Sequence, residues 1–307
     1  MDITLKQLRY FRALARERNF GRAAARVHVT QPALSVQIRE LEQRLGVTLV
    51  ERQPRDVVLT QAGREILAHA ERVLGQMRAL RDAARMGQGL SGRLTLGVIP
   101  TVAPYQLPVA LPMLRAKNVA LDLRVRESRT EVLLDELAEG VLDAAVVALP
   151  VARPGMTEHP LFEDRFYLAG SADQIAPLHE QAENLRPDAI DPERLLLLEE
   201  GHCLADQALE ACATERAATR VDLSASSLGT LCRLVSEGFG LTFVPHIALS
   251  AELRAVPGMA VFRFASPEPA RTLGLVRRTS SPEGGWFDDL ADTLQLAGQE
   301  LDNALDT

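Results

Sequence analysis

Three cysteines in 307 residues, none of them in a CxxC pair, leave little room for structural disulfides or a thiolate metal site. A disulfide formed from so few thiols would be transient, made by chemistry rather than by folding. Also missing is any apolar run near the length of a membrane span, and the amphipathic start MDITLKQLRYF has no signal-peptide core. A cytoplasmic protein away from any membrane, with no cofactor and no metal, is therefore expected. The chain is short of positive charge overall, at −7, which taken whole argues against a nucleic-acid partner. Dividing it reverses that reading. Residues 1–90 hold 16 Lys and Arg against 9 Asp and Glu, whereas the remainder holds 18 against 32. A basic head on an acidic body is the footprint of a protein that offers one end to nucleic acid.

What is present in that head is a pair of helical patterns joined by a tight turn. Gly21 to Val27 is rich in alanine, and Ala23, Ala24 and Val27 are small enough for a second helix to cross closely. His28-Val29-Thr30 makes the turn, with Thr30 as N-cap and Gln31-Pro32 placing proline in the first helical turn. The second helix runs to Leu45 with Leu34, Ile38, Leu41 and Leu45 along one stripe. Thr30, Gln31, Pro32, Ser35, Gln37 and Arg39 are its candidate groove-facing residues, of types that bond base edges and phosphates. By itself the pattern also fits two packed helices of an ordinary α domain. After Gly46, the short runs Val47–Val50 and Val57–Leu59 suggest a two-stranded wing with Arg52 and Arg55 at its tip. Leu5, Leu8, Phe11 and Leu14 form the apolar face of a first helix below them.

The phrases TQPALSVQIRELEQRLGVTLVER and LTQAGREIL give this region a resemblance to the winged helix-turn-helix of LysR-type transcriptional regulators, over about the first ninety residues. The resemblance implies binding to double-stranded promoter DNA. A helical pattern from Ala62 to about Met86 follows, with Ile66, Leu67, Val73, Leu74, Met77 and Leu80 on one side. At ~1.5 Å per residue this is a rod of nearly ~40 Å. Such a rod can pack on its own chain, but an antiparallel pair between two protomers suits it better. Two half-sites also need two readers. Gly87-Gln88-Gly89 and Ser91-Gly92 read as a hinge.

From Arg93 onward strands alternate with helices: Leu94–Ile99, Pro104–Lys117, Leu121–Glu127, Thr130–Glu139 and Leu142–Leu149. This βαβαβ order implies a parallel sheet with helices on its faces. A second unit begins near Phe162, with strands at Arg165–Ala169, Leu195–Leu198, Val221–Ala225 and Leu241–Val244 and helices at about Asp206–Glu215 and Leu228–Glu237. The chain then returns to the first unit through Thr272–Val276 and a final helix, Trp286–Leu301. Two α/β subdomains crossed twice by the chain resemble the periplasmic-binding-protein-like effector domain of the LysR-type family.

The fold class expected is thus α+β and multidomain. A winged helix-turn-helix DNA-binding domain occupies 1–60, and a long linker and dimerisation helix with a hinge occupies 61–90. A C-terminal α/β effector domain of two subdomains fills 91–307, with subdomain I at about 91–163 and 268–307 and subdomain II at about 164–267.

Two places in the effector domain carry chemistry. Thr101, in IPTVAPY, sits where a strand gives way to a helix, and Thr130 holds the equivalent place after the second strand. Either hydroxyl can face a ligand, and either can serve as a helix N-cap. The second place is EEGHCLADQ, with Cys212 nine residues beyond Cys203. Cys203 precedes a helical pattern, and a helix N-terminus favours the thiolate, the form that reacts and oxidises. A protonated His202 would help and Glu199 and Glu200 would oppose. Asp206 and Gln207, within one turn, can hydrogen-bond an incoming oxidant. Along one helix, nine steps leave the two cysteines on opposite faces and about 13 Å apart. A disulfide tolerates Cα separations of only about 7 Å. If the two bond, the segment between them must unwind, and a chemical event becomes a conformational one. Cys232, in an apolar run with Leu228, Leu231, Leu234 and Val235, reads as a core residue.

IPTVAPYQLP, LLLLEEGHCLADQALEAC and EPARTLGLV extend the resemblance to the hydrogen-peroxide-sensing branch of the LysR-type regulators, over nearly the whole chain. It implies that Cys203 is the peroxidatic cysteine and Cys212 the resolving one. It further implies that Thr101, Thr130, His202 and Gln207 line a peroxide pocket, with Arg271 matching a basic position. This chain departs from that pattern by lacking a basic residue after Cys203-Leu204. The function expected is an oxidative-stress activator, not an enzyme, working as a homodimer through the linker helix and as a homotetramer, with hydrogen peroxide as signal and RNA polymerase as a further partner. A LysR-type regulator answering to a small organic ligand in the effector cleft is the alternative, and a thiol peroxidase would leave the DNA-binding head unexplained.

Overall fold

The computed structural model describes residues 3–52, 56–83, 92–117, 121–181, 185–215, 225–281 and 285–303. Contacts divide the chain into two compact units, Met1–Arg85 and Met86–Thr307.

The first unit begins with helix α1, Leu5–Glu17, which starts on a capping box: the Thr4 hydroxyl accepts from the Gln7 amide, and the Gln7 side chain accepts from the Thr4 amide. Helix α2, Phe20–Arg26, is capped by Asn19. His28 takes a left-handed conformation (φ 53°) in the turn that follows. Helix α3, Gln31–Leu45, starts on the Thr30 hydroxyl and stops at left-handed Gly46. Leu34, Ile38 and Leu41 are fully buried, together with Phe11 and Leu14 of α1. At about 1.5–3 kcal/mol for each such side chain, this stripe fixes the crossing of the helices.

Strands β1, Val50–Arg52, and β2, Val57–Leu59, pair antiparallel. β1 begins three residues later than the sequence suggests because the Leu49 and Val50 amides donate to the Glu42 carboxylate at 2.8 and 3.2 Å. Helix α4, Gln61–Ala83, opens on the Thr60 hydroxyl, which accepts from the Gly63 amide. Gly63 is required there, since a Cβ would strike the Leu49 carbonyl. Ala70 and Leu74 of α4 enter the core of this unit, while Val73 and Leu80 remain exposed.

The second unit holds a seven-stranded sheet. Its strands are β3 (Gly92–Val98), β4 (Leu121–Glu127), β5 (Ala144–Leu149), β6 (Met156–Ser171), β7 (Thr242–Pro245), β8 (Met259–Arg263) and β9 (Ala270–Arg278). Their order is β4-β3-β5-β9-β6-β7, with β8 also on β6. The expected parallel pattern holds for β3, β4 and β5, whereas β9 runs antiparallel to both β5 and β6. The helices are α5 (Ala103–Lys117), α6 (Thr130–Ala138), α7 (Ala172–Ile175), α8 (Cys203–Ala211), α9 (Leu228–Ser236), α10 (His246–Ala255) and α11 (Trp286–Asn303).

Two cores lie within this unit. One gathers Leu96, Val98, Leu114, Leu133, Val146, Leu275 and Leu294; the other gathers Phe166, Leu168, Leu196, Leu204, Phe243 and Phe262. The sixteen-residue β6 serves both, giving Leu161 to the first and Phe166 and Leu168 to the second. The expected strand at Leu195–Leu198 amounts to two isolated parallel bridges, Leu195 to Leu241 and Leu198 to Ala225. The expected strand Val221–Ala225 lies outside the described residues except for Ala225. The helix expected from Asp206 to Glu215 begins earlier and ends earlier, which makes Cys203 its first residue and Cys212 its C-cap.

Candidate redox site and nucleic-acid interface

In the head, ~100° of rotation per residue spreads Gln31, Ser35, Arg39 and Pro32 of α3 over one arc that flanks the buried stripe, with Gln31 at its edge next to Ile38. Thr30, Gln31, Pro32 and Arg39 are exposed and Ser35 is half-buried. Gln37 departs from the grouping expected of it. It projects toward the other flank, where its amide nitrogen donates to Glu40 at 3.0 Å, a carboxylate also reached by Gln7. Val36, passed over in the sequence, is 46% exposed on the same arc as Arg39, where an apolar group can meet a thymine methyl. Arg52 is placed through its backbone in β1, and Arg55 lies outside the described residues.

In the second unit, Thr101 ends the chain's run out of β3, and its hydroxyl is buried. It accepts from Nη1 of Arg271 at 2.9 Å. Arg271, on β9, is itself held by Asp164 of β6: Nε and Nη2 both reach Oδ2, at 2.9 and 2.8 Å. The other Asp164 oxygen accepts from the Ile247 amide at the start of α10. Both charged side chains have no exposed surface. Complete burial pushes the Asp164 carboxyl above the ordinary range, while Arg271 and the Ile247 amide pull it back. The Arg271 guanidinium also lies 5.7 Å from the centre of the Phe166 ring. Asp164 is the residue the sequence did not disclose; a single carboxylate inside a long strand carries no motif.

Opposite this fixed wall stands α8. His202 is its N-cap residue, buried, with no side-chain capping bond. Burial first, then the charge of Arg129, hold its imidazole below the usual histidine value, with Glu199 opposing. Near neutral pH the ring is therefore uncharged, and the help expected from a protonated His202 is not supplied. Cys203 is half-buried against the first core, whereas Cys212 is buried in the second. Burial, aided by Asp188, pushes the Cys212 thiol up to about 12. Cys232 lies fully buried on α9 and is likewise pushed up to about 12.

Gln207 and Arg271 line one open cavity of about 760 Å³, with Phe166, Arg186, Asp188 and Glu210 among its other walls. Oε1 of Gln207 is buried there without a hydrogen-bond partner. Thr130 is the first residue of α6 rather than its cap, and its buried Oγ1 is also unpartnered. The walls of that cavity include neither Cys203 nor Thr101, Thr130, His202 or the exposed Asp206, so of the expected pocket residues it brings together only Gln207 and Arg271. Nearby in the second core, the Tyr105 hydroxyl of α5 donates to Glu252 of α10 at 2.6 Å. Among the described residues no helix is long and apolar enough to cross a membrane, and no group of three or more His, Cys, Asp or Glu is placed to hold a metal ion.

A helix-turn-helix with a wing, followed by an α/β unit with two cores around a polar cleft, defines a class. Residues 5–64 match the family described as bacterial regulatory helix-turn-helix protein, lysR family, and residues 87–297 match the LysR substrate binding domain. The chain belongs to the LysR family of DNA-binding transcriptional regulators, which are not enzymes. Among its relatives, the hydrogen peroxide-inducible genes activator of Dickeya chrysanthemi is 40% identical over 296 residues, covering 95% of each chain. The DNA-binding transcriptional dual regulator OxyR of Escherichia coli strain K12 is 38% identical over 300 residues, again covering 95% of each. Of solved structures, a peroxide-bound cysteine-to-serine mutant of Corynebacterium glutamicum OxyR superposes with a TM-score of 0.66 at 37% identity, covering 99% of this chain and 95% of that one. A full-length Pseudomonas aeruginosa OxyR with a cysteine-to-aspartate substitution gives 0.66 at 37%, covering 96% and 98%.

Proposed function

We propose that this chain is a peroxide-responsive transcriptional activator whose signal is the oxidation of Cys203 and whose switch is a reversible Cys203–Cys212 disulfide. One observation carries the reading. A half-buried cysteine begins a helix whose later turns, at Gln207, Glu210 and Ala211, line an open cavity, and a second, buried cysteine ends the same helix. The thiolate of Cys203 attacks one peroxide oxygen and breaks the O–O bond. With one proton taken up, the products are a sulfenic acid on Cys203 and one water. Cys212 then attacks that sulfur. Its sulfhydryl proton and the sulfenic hydroxyl leave as a second water, and the S–S bond forms.

Thr101, Thr130, His202, Gln207 and Arg271 serve as the peroxide's surroundings in this reading. Thr130 and Gln207 offer the buried polar atoms that lack partners, and Asp206 acts only from the rim. The high proton affinity of Cys212 keeps the resolving thiol inert until α8 opens. Unwinding α8 would change how effector units pack in a dimer or tetramer, and with it the spacing of the reading heads. Val73 and Leu80, exposed on α4, are the residues for the dimer seam. On the DNA side, Gln31, Ser35 and Arg39 read the groove, Arg52 and Arg55 are the candidate phosphate contacts, and RNA polymerase is the downstream partner. The protein acts in the cytoplasm, at its promoter.

The test is Cys203→Ser. Loss of peroxide-dependent promoter binding or transcription is expected; a retained response removes Cys203 as trigger. The size of the cavity favours a second reading, since about 760 Å³ is far more than peroxide fills. A small organic ligand in that cavity, where Arg186 is among the walls, would raise the unfolding temperature in a metabolite screen, whereas peroxide would leave Cys203 and Cys212 unlinked.

A further inference from the structure

We propose that Arg129 is a positioning residue for the sensing cysteine: its guanidinium braces the Glu199–Gly201 turn and offsets the carboxylates that stand before Cys203. The inference rests on the reading of Cys203 as the cysteine that peroxide oxidises. Arg129 occupies the N-cap position of α6 but makes no capping bond with its side chain. Instead Nη2 reaches across to Oε2 of Glu199 at 3.2 Å. Its remaining length lies against Gly201, which is left-handed at φ 87°. A Cβ at Gly201 would stand 3.1 Å from both Cδ and Nη1 of Arg129. The one residue of the turn without a side chain is thus the one the arginine crosses, two positions before Cys203.

Charge makes the placement consequential. Glu199 and Glu200 precede Cys203 by four and three residues, and both oppose a thiolate there. The N-terminus of α8 favours it, but by a limited amount at a half-open site. Arg271 is committed to Asp164 and Thr101. His202 is held uncharged, and the first turn of α8 adds only a further carboxylate, Asp206. Among the described residues, Arg129 is the cation paired with a carboxylate of this turn. Both partners of its ion pair are more than two-fifths exposed, so the contact adds little to stability. Its effect falls on the reactivity of the cysteine two residues beyond Gly201.

The experiment uses the full chain carrying Cys212→Ser, so that oxidation stops at the sulfenic acid. The rate of Cys203 adduct formation with peroxide and dimedone is followed by mass spectrometry for Arg129, R129K, R129Q and R129Q/E199Q proteins, each with its unfolding midpoint. R129Q is expected to fold like the parent yet react about three- to tenfold more slowly. R129K should keep most of the rate, and R129Q/E199Q should recover it, because the unpaired carboxylate is gone. An R129Q protein reacting at the parental rate would overturn the proposal. So would a double variant as slow as R129Q with no rescue by lysine. No adduct on Cys203 in the parent would instead overturn the reading on which the proposal stands.

Discussion

The two walls of the cleft are built differently. On one side Arg271 is backed by Thr101 and Asp164, all three buried, drawn from three separate strands and turns, and tied to one another and to α10. On the other side α8 has nine residues, an approach secured by two isolated bridges, a left-handed glycine, and a buried glutamine oxygen with no partner. An isolated helix that short is marginal in water and owes its existence to packing. The lesson is a division of labour. The wall that must keep its shape is stitched across the sheet, and the wall that carries both cysteines is the one that can be rebuilt at low cost.

The contrast can be broken first at the thiols, where the largest effect is expected. With their proton affinities near 12, only about one in 10⁴ of Cys212 or Cys232 is thiolate at pH 8. Alkylation of either in the reduced protein should run about 10³-fold slower than for an unperturbed thiol, while Cys203 labels first; a mass-spectrometric time course reads this. Next comes Arg271→Met. It leaves Asp164 buried without its partner and should cost about 3–5 kcal/mol in urea unfolding. Gln207→Met removes a buried oxygen that bonds to nothing, and should change stability by less than about 1 kcal/mol while slowing the peroxide reaction. If Gln207→Met proved as damaging as Arg271→Met, the two walls would not differ.

Acid gives a gentler version. The folded His202 has its proton affinity lowered, so the unfolded chain binds the extra proton more readily. Stability is therefore complete above about pH 6.5 and falls as pH drops through the folded value. His202→Asn should flatten that slope in thermal melts taken from pH 7 to 5. For Cys212 the sign is opposite: its raised value gives stability that is full below about pH 9 and lost toward 12, and Cys212→Ala removes that loss. In the head, Arg39→Glu should weaken operator binding and flatten its salt dependence. Gln37→Ala should do so less, because Gln37 is turned toward Glu40.

Much of the head was legible because its signals are local. Thr30, Pro32 and Gly46 mark helix ends by backbone chemistry, and Leu34, Ile38 and Leu41 mark the buried face by spacing alone. The same locality explains the misplaced β1, since no propensity reports that the Glu42 carboxylate takes the Leu49 and Val50 amides. In the effector unit the βαβαβ stretch was readable, but β6 was seen only in part. Its first half pairs with β9 a hundred residues later, and its proline and charges hide the alternation. Cys203, Cys212 and Gln207 stood in a motif. Asp164 and Arg129 did not, because each acquires its role from a partner remote in sequence: Arg271 for one, Glu199 for the other.

The most direct measurement is mass spectrometry of the protein before and after about one equivalent of hydrogen peroxide, with free thiols alkylated. Trypsin leaves both cysteines on one peptide, Leu195 to Arg216, and cleavage before Asp206 then separates them. The expected result is a peptide two hydrogens lighter, unalkylated, whose halves stay joined after the second cut. Full alkylation of Cys203 and Cys212 after peroxide would contradict a rebuilt α8 and leave the cleft to an organic ligand.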